Sequence, residues 1–237
     1  MSERGASTVP DSAFEPTTRA DEGGLNSDHL ICEDGKPVDS IYAERLMRFL
    51  VETLYTSWSP GRPFLACANV GVFWMNKNPA IVPDVFVSLD VTHDLDAHKP
   101  SNNSYLLWEK GKPPDVVIEI VSNTEGGELT TKRRIYAENV RVTHYIVWDP
   151  IGRLGGDRLQ SFILMGDGYQ TTPSTWFPKL GLGLKTWKGT FEGCESEWLR
   201  WYDAAGNFLS TGDEHRQRTD RLAAKLRQAG IDPDAAE

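Results

Sequence analysis

The sequence predicts a mixed α/β (α+β) domain, and three observations carry that prediction. An apolar run, Val116-Val117-Ile118-Glu119-Ile120-Val121, is followed by a helix-forming stretch over 128–139 and a second apolar run, Tyr145-Ile146-Val147-Trp148. Such a strand–helix–strand unit makes its two strands neighbours, parallel and buried. Ahead of it lies an amphipathic helix followed by β-rich runs; behind it, residues 155–210 alternate short β-like runs with Gly-containing turns. The architecture implied is a mixed sheet flanked by helices, with a β-rich C-terminal part and a closing helix.

Taken in order, residues 1–27 are rich in Ser, Thr, Pro, Glu and Gly with almost no apolar partners, and are expected to form a disordered arm. The main domain is expected over 28–210. Its first element is a helix over 41–58, because Leu46, Phe49, Leu50 and Leu54 recur at helical spacing and Ser59-Pro60-Gly61 stops the run. Residues 64–67 and 70–75 are β-rich and separated by Asn69, which suggests neighbouring antiparallel strands. A strand over 85–91 precedes a polar loop at 92–104. In the C-terminal part, Trp176, Trp187, Trp198 and Trp201 are expected to supply the packing. Residues 211–237 form a tail whose helix, over 213–229, suits docking or dimerisation, since Leu222 and Leu226 are four apart.

Composition removes several classes of function. The 237 residues are 39% hydrophobic and 25% charged, a globular balance. The net charge of −9 argues against a non-specific nucleic-acid coat protein. Residues 1–35 hold two basic and eight acidic side chains, so two-thirds of that charge lies outside a nearly neutral body. Cys32, Cys67 and Cys194 share no metal-binding spacing. There is no run of 18 apolar residues and no basic-then-apolar start, so a non-membrane, cytoplasmic protein is expected. The phosphate-loop, Gly-x-Ser-x-Gly, His-Glu-x-x-His and dinucleotide-binding signatures are absent.

What remains is an acid in an unusual place. Glu119 interrupts an apolar strand, on the face of Val117 and Val121. An ionised carboxylate there needs a positive partner, whether a metal ion or a Lys or Arg. Asp84, after Pro83, stands at the mouth of a neighbouring strand, from which a second carboxylate can meet Glu119 across the sheet. Asp115 rivals it, but four residues before Glu119 it lies a strand-length away. Lys132 falls inside the apolar stripe of the following helix, between Ile135 and Tyr136 on the helical wheel. Its ammonium can therefore point along the sheet toward the acids, or snorkel to solvent. The plainer alternatives are an edge strand from which Glu119 reaches solvent, and a purely structural ion-pair network of Asp84, Glu119 and Lys132. His93, Asp94, Asp96 and His98 form a second, loop-borne cluster.

The segments 82–87, 114–122, 128–137 and 145–150 resemble, in order and spacing, the Uma family of bacterial restriction-endonuclease-like proteins, part of the PD-(D/E)xK nuclease superfamily. The likeness runs from about residue 30 to residue 203, with a similar helical tail. It implies a restriction-endonuclease-like fold and Mg²⁺- or Mn²⁺-dependent hydrolysis of DNA. Asp84 and Glu119 match the motif's two acids, and Ile120 offers its backbone carbonyl as a further metal ligand. Because Val121 stands two after Glu119, where the superfamily has its lysine, the resemblance assigns that role to Lys132. Glu44 is an accessory acid by the same likeness, although Tyr42-Ala43-Glu44 replaces a His found near there in many relatives. DNA is the implied substrate, a homodimer is compatible with the tail, and a non-cleaving binding module that retains the fold is the competing function.

Overall fold

The structure, a computed structural model, describes residues 40–76, 79–92, 102–122 and 126–233. The expected arm at 1–27 and the cluster His93, Asp94, Asp96 and His98 lie outside these residues. In chain order the elements are α1 (Ile41–Ser57), β1 (Phe64–Ala68), β2 (Val72–Phe73), β3 (Val85–Leu89), β4 (Tyr105–Leu106), α2 (Leu107–Lys110) and β5 (Val116–Ile120). There follow α3 (Thr131–Arg134), running directly into a π-helical segment (Ile135–Val140), then β6 (His144–Trp148), β7 (Leu159–Met165) and β8 (Gly168–Thr171). The chain continues through β9 (Trp176–Phe177), β10 (Leu182–Phe191), β11 (Cys194–Tyr202) and α4 (Gly212–Gln228).

The main sheet has six strands in the order β1-β3-β5-β6-β7-β8. Only β5 and β6 are parallel, as the strand–helix–strand reading requires; the other pairs are antiparallel. A second sheet, β11-β10-β9, is the β-rich C-terminal part.

Alternation along β5 explains how the two faces are filled. Val116, Ile118 and Ile120 join a core with α1 and the second sheet, where Leu46, Leu50, Trp198 and Trp201 are buried. Val117 and Val121 join the core on the other face, with Tyr136, Val140 and Tyr145. Glu119, between Val117 and Val121, is thereby sent into the second core. The first core is tied by its aromatics: Phe49 stacks on Phe191 with ring centroids 4.3 Å apart, and the Trp201 indole N–H donates to the Leu50 carbonyl at 2.9 Å. α1 starts where the Ser40 hydroxyl accepts from the Ala43 N–H at 3.1 Å, and stops at Trp58, whose extended backbone leads into Pro60.

Two expectations are corrected. Residues 64–67 and 70–75 do not pair as neighbouring strands: β1 pairs with β3, and β2 forms a separate parallel pair with β4. Asn69, at φ 54°, turns the chain, and its N–H goes to the Asp84 carbonyl instead, at 3.2 Å. The helix expected over 128–139 is a turn at 128–130, one α-turn and a π segment. The Lys132 N–H already reaches back five residues, to the Gly127 carbonyl, and the wider winding ends at Arg141 in the left-handed region.

Candidate active site

The site forms where β3 begins and β5 ends. Val85 pairs with Ile118 in the antiparallel register of β3 and β5. One step further along the same register, Asp84 stands opposite Glu119. Pro83 supplies no N–H, so the ladder can stop here without wasting a donor. The Asp84 carboxylate caps that end, accepting from the Ile120 N–H at 2.6 Å through Oδ2.

Glu119 is fully buried, and each of its oxygens is held by a residue of the following helix. Lys132 Nζ lies 2.7 Å from Oε2, and the Tyr136 hydroxyl donates to Oε1 at 2.7 Å. The two donors are four residues apart, so they share one helix face and close on the carboxylate together. Tyr136 is itself fully buried, whereas the Lys132 side chain keeps 27% of its exposure and Asp84 is partly buried, so both reach toward solvent. Upstream, the Glu128 carboxylate takes the Gly126 N–H through both oxygens, and the Tyr145 hydroxyl donates to the Glu128 carbonyl at 2.8 Å. These bonds fix the turn that feeds Lys132 into place.

The electrostatics follow from the count of charges. Burial pushes the Glu119 carboxyl up to about 8, and the negative charge of Asp84 adds to the push against the opposing pull of Lys132. Burial pulls the Lys132 ammonium down, but Glu119, with a further contribution from Asp84, outweighs it and leaves Lys132 above its ordinary value. Burial and then Glu119 hold the Tyr136 hydroxyl well above the ordinary tyrosine range, so it stays a donor.

The other sequence candidates sit as follows. Glu44 is on α1 and lines a shallow groove with Ala68 and Asn69, at the same end of the sheet as Asp84. Its carboxylate is held by Arg48, at 2.9 and 3.0 Å, and is not brought onto Glu119. Asp115 is buried at the far end of β5, where it accepts from the Leu89 N–H and pairs with Lys112 and Lys179. Tyr136 is the residue sequence reasoning missed. It reads as one more apolar residue of the stripe, yet a buried tyrosine needs a partner for its hydroxyl, and four residues after Lys132 the nearest acid is Glu119.

Comparison with protein families gives a profile match over residues 35–187, more than half of the chain, to the Uma2 family, described as "Putative restriction endonuclease". The chain belongs to that family. Among solved structures it is similar to a crystal structure of a putative nuclease from Anabaena variabilis, with a TM-score of 0.40 and 17% identity, covering 59% of this chain and 73% of that one. No curated protein matches it. Among the described residues, no helix is long and apolar enough to cross a membrane.

Proposed function

We propose that the chain is a metal-dependent endonuclease that hydrolyses DNA phosphodiester bonds at Asp84, Glu119 and Lys132. The observation that supports this reading is Asp84, one register step beyond the Val85–Ile118 pair, raising the carboxyl of a buried Glu119 that Lys132 holds.

The donor set fits a divalent cation. Burial first, and then the like charge of Asp84, raise the Glu119 carboxyl, so a cation between the two acids would relieve both. All the groups are hard oxygens, which favour Mg²⁺ or Mn²⁺ over zinc. Among the described residues no group of three or more His, Cys, Asp or Glu side chains comes together around a metal position. A cation here would therefore rest on two carboxylates and the Ile120 carbonyl, with water and substrate phosphate in its other positions, a common arrangement for Mg²⁺. When bound, such a cation supplies Lewis-acid polarisation of the phosphoryl group and a more acidic bound water.

The chain's own residues do the rest. Asp84 and Glu119 hold negative charge at a fixed point at the end of the sheet. Tyr136 fixes the Glu119 carboxylate, so that it does not swing when Lys132 moves off it. Lys132, whose side chain is partly exposed, is free to transfer its charge from Glu119 to a phosphate oxygen as charge builds there.

A second reading, a non-cleaving module that keeps the fold, draws on the same bonds: both Glu119 oxygens are already engaged, as in a finished structural ion pair. Nicking of supercoiled plasmid in Mg²⁺ or Mn²⁺ decides between them. The nuclease reading expects the wild type to nick, and Glu119→Gln and Lys132→Ala to lose on the order of 100-fold or more. Equal nicking by wild type and both variants, or DNA binding without cleavage in either metal, overturns it.

A further inference from the structure

The C-terminal helix α4 is fixed at its root and bare along the rest of its length. A capping box closes its start: the Thr211 hydroxyl accepts from the Glu214 N–H at 3.1 Å, and Glu214 accepts from the Thr211 N–H at 3.0 Å. The Gly212 N–H donates to Glu52 on α1 at 2.8 Å, and His215 Nε2 lies 2.8 Å from the Ser57 hydroxyl. Arg200, buried beneath Phe208 and Trp187, reaches up to Glu214 at 2.8 Å. None of the 17 residues of α4 is buried, and beyond His215 the described residues are almost all exposed. A helix of this length is marginal in water on its own. Its root is thus built to hold a direction, and among the described residues its outer half is not packed against another element.

The outer half is also unlike the rest of the protein in charge. Residues 215–228 contain five basic side chains and one acid, in a chain whose net charge is −9. Arg218, Arg221 and Lys225 are spaced i, i+3 and i+7. That spacing sets them within about 60° of one another around the helix, spread along about 10 Å of its axis. None of the three is in an ion pair among the described residues, whereas Arg216, on another face, pairs with Asp213.

We propose that this stripe is a phosphate-contacting arm for double-stranded DNA. The choice of partner rests on the nuclease reading, and the charge complementarity is local: a row of cations outside any ion pair faces a polyanion with one charge per about 1.7 Å of duplex. Guanidinium groups suit such contacts, since they present a planar fork of donors to phosphate oxygens. A second copy of the chain is the poorer occupant. The apolar residues on α4, Leu222 (52% exposed) and Leu226 (39% exposed), cover one heptad, where a stable helix pair needs three or four. In this arrangement the arm supplies affinity that the nearly neutral body does not, independently of which acids hold the metal.

The test is fluorescence anisotropy of a labelled duplex bound by the full chain without divalent metal, over a range of salt concentrations. Three proteins are compared: the wild type, a triple variant (Arg218→Gln, Arg221→Gln, Lys225→Gln) and Lys188→Gln, an exposed lysine on β10. Every phosphate that the arm no longer neutralises lowers the slope of log affinity against log salt by about 0.9, so the triple variant is expected to fall below the wild-type slope by between about 2 and 3. Lys188→Gln is expected to keep the wild-type slope, which separates the arm from the loss of any one exposed cation. An unchanged slope in the triple variant overturns the proposal, as does a wild type that does not bind duplex at low salt. So does a dimer, seen by sedimentation, that the triple substitution dissolves in step with the weakening of DNA binding. Because the three side chains are exposed, far-UV circular dichroism is expected to match the wild type. Plasmid nicking by the same proteins reports on the active site separately: a wild type that never nicks, yet shows the slope change, leaves the arm standing and the nuclease reading fallen.

Discussion

Strand β5 has a buried acid at each end, and the two are partnered in opposite ways. Asp115, just before the strand, is one carboxylate set against two ammoniums and an amide. It accepts from the Leu89 N–H at 2.8 Å and from Lys112, and Lys179 Nζ lies 3.6 Å away. Lys112 also donates to the Leu89 carbonyl at 2.8 Å, so the group staples the start of β5 to the end of β3. At the other end Glu119 is held by one ammonium, Lys132, and one phenol, Tyr136, and it also feels the negative charge of Asp84. The first cluster is overcompensated and works as a joint. The second sets one acid against another, and that is a state in which a buried acid has use for a cation. Burial alone does not separate the two, since Glu119 and Asp115 are both buried; what separates them is that Asp115 faces two ammoniums, whereas Glu119 faces one ammonium and the like charge of Asp84.

The contrast can be broken most sharply by neutralising one acid at each end. Glu119→Gln is expected to abolish nicking, on the order of 100-fold or more, while leaving the fold within about 1 kcal/mol of the wild type, because the amide relieves the crowding with Asp84. Asp115→Ala is expected to do the reverse. It strands two lysines and the Leu89 N–H, costing about 2–4 kcal/mol in urea unfolding, while the folded protein still nicks. A Glu119→Gln protein that unfolds as readily as Asp115→Ala would make both ends structural.

A pH titration sharpens the same contrast. The Glu119 carboxyl sits at about 8 in the folded protein against 4.5 for the free side chain. Between those values the folded state binds the extra proton, so this contribution to stability is full below about 4.5 and lost as pH rises through about 8. Lys132 stays charged throughout, because its own value is raised from 10.5. The melting temperature of the wild type is therefore expected to fall relative to Glu119→Gln across that interval. A difference that stays flat with pH contradicts the crowding. At limiting Mg²⁺, nicking is expected to rise over the same interval, as Glu119 becomes easier to ionise.

Smaller effects belong to the supporting groups. Tyr136→Phe removes the donor on Glu119 Oε1 and is expected to cost about 1 kcal/mol, with nicking reduced roughly tenfold. A larger fall in nicking than in stability marks it as a positioning residue. Glu44→Gln is expected to change nicking by no more than about twofold, because its carboxylate is spent on an exposed pair with Arg48.

Much of this was legible in the sequence, and the rest failed for identifiable reasons. The parallel pairing of β5 and β6 and the helix over 41–57 follow from periodicity, because alternation and helical spacing are local properties of the chain; that Glu119 is buried and not on an edge strand depends on β5 lying between β3 and β6, which periodicity leaves open. The partner of β1 was not legible. Two β-rich runs separated by Asn69 look like neighbours, but β2 finds its partner some thirty residues later, in β4, and periodicity says nothing about who pairs with whom. The helical wheel used for Lys132 assumes 100° per residue, which the π segment from Ile135 abandons. Tyr136 shows a different gap. Its ring is an apolar residue of the stripe, as the pattern says, while its hydroxyl performs the polar task that no hydrophobic pattern encodes.

The central claim is that the Asp84–Glu119 end of β5, and not the Asp115 end, takes a divalent cation. The direct measurement is Mn²⁺ binding to the full-length protein by electron paramagnetic resonance, for the wild type, Asp84→Asn, Glu119→Gln and Asp115→Asn. The account predicts bound Mn²⁺ in the wild type and in Asp115→Asn, and its loss in the other two. Binding that survives both Asp84→Asn and Glu119→Gln, or that disappears with Asp115→Asn in a protein that remains folded, contradicts it.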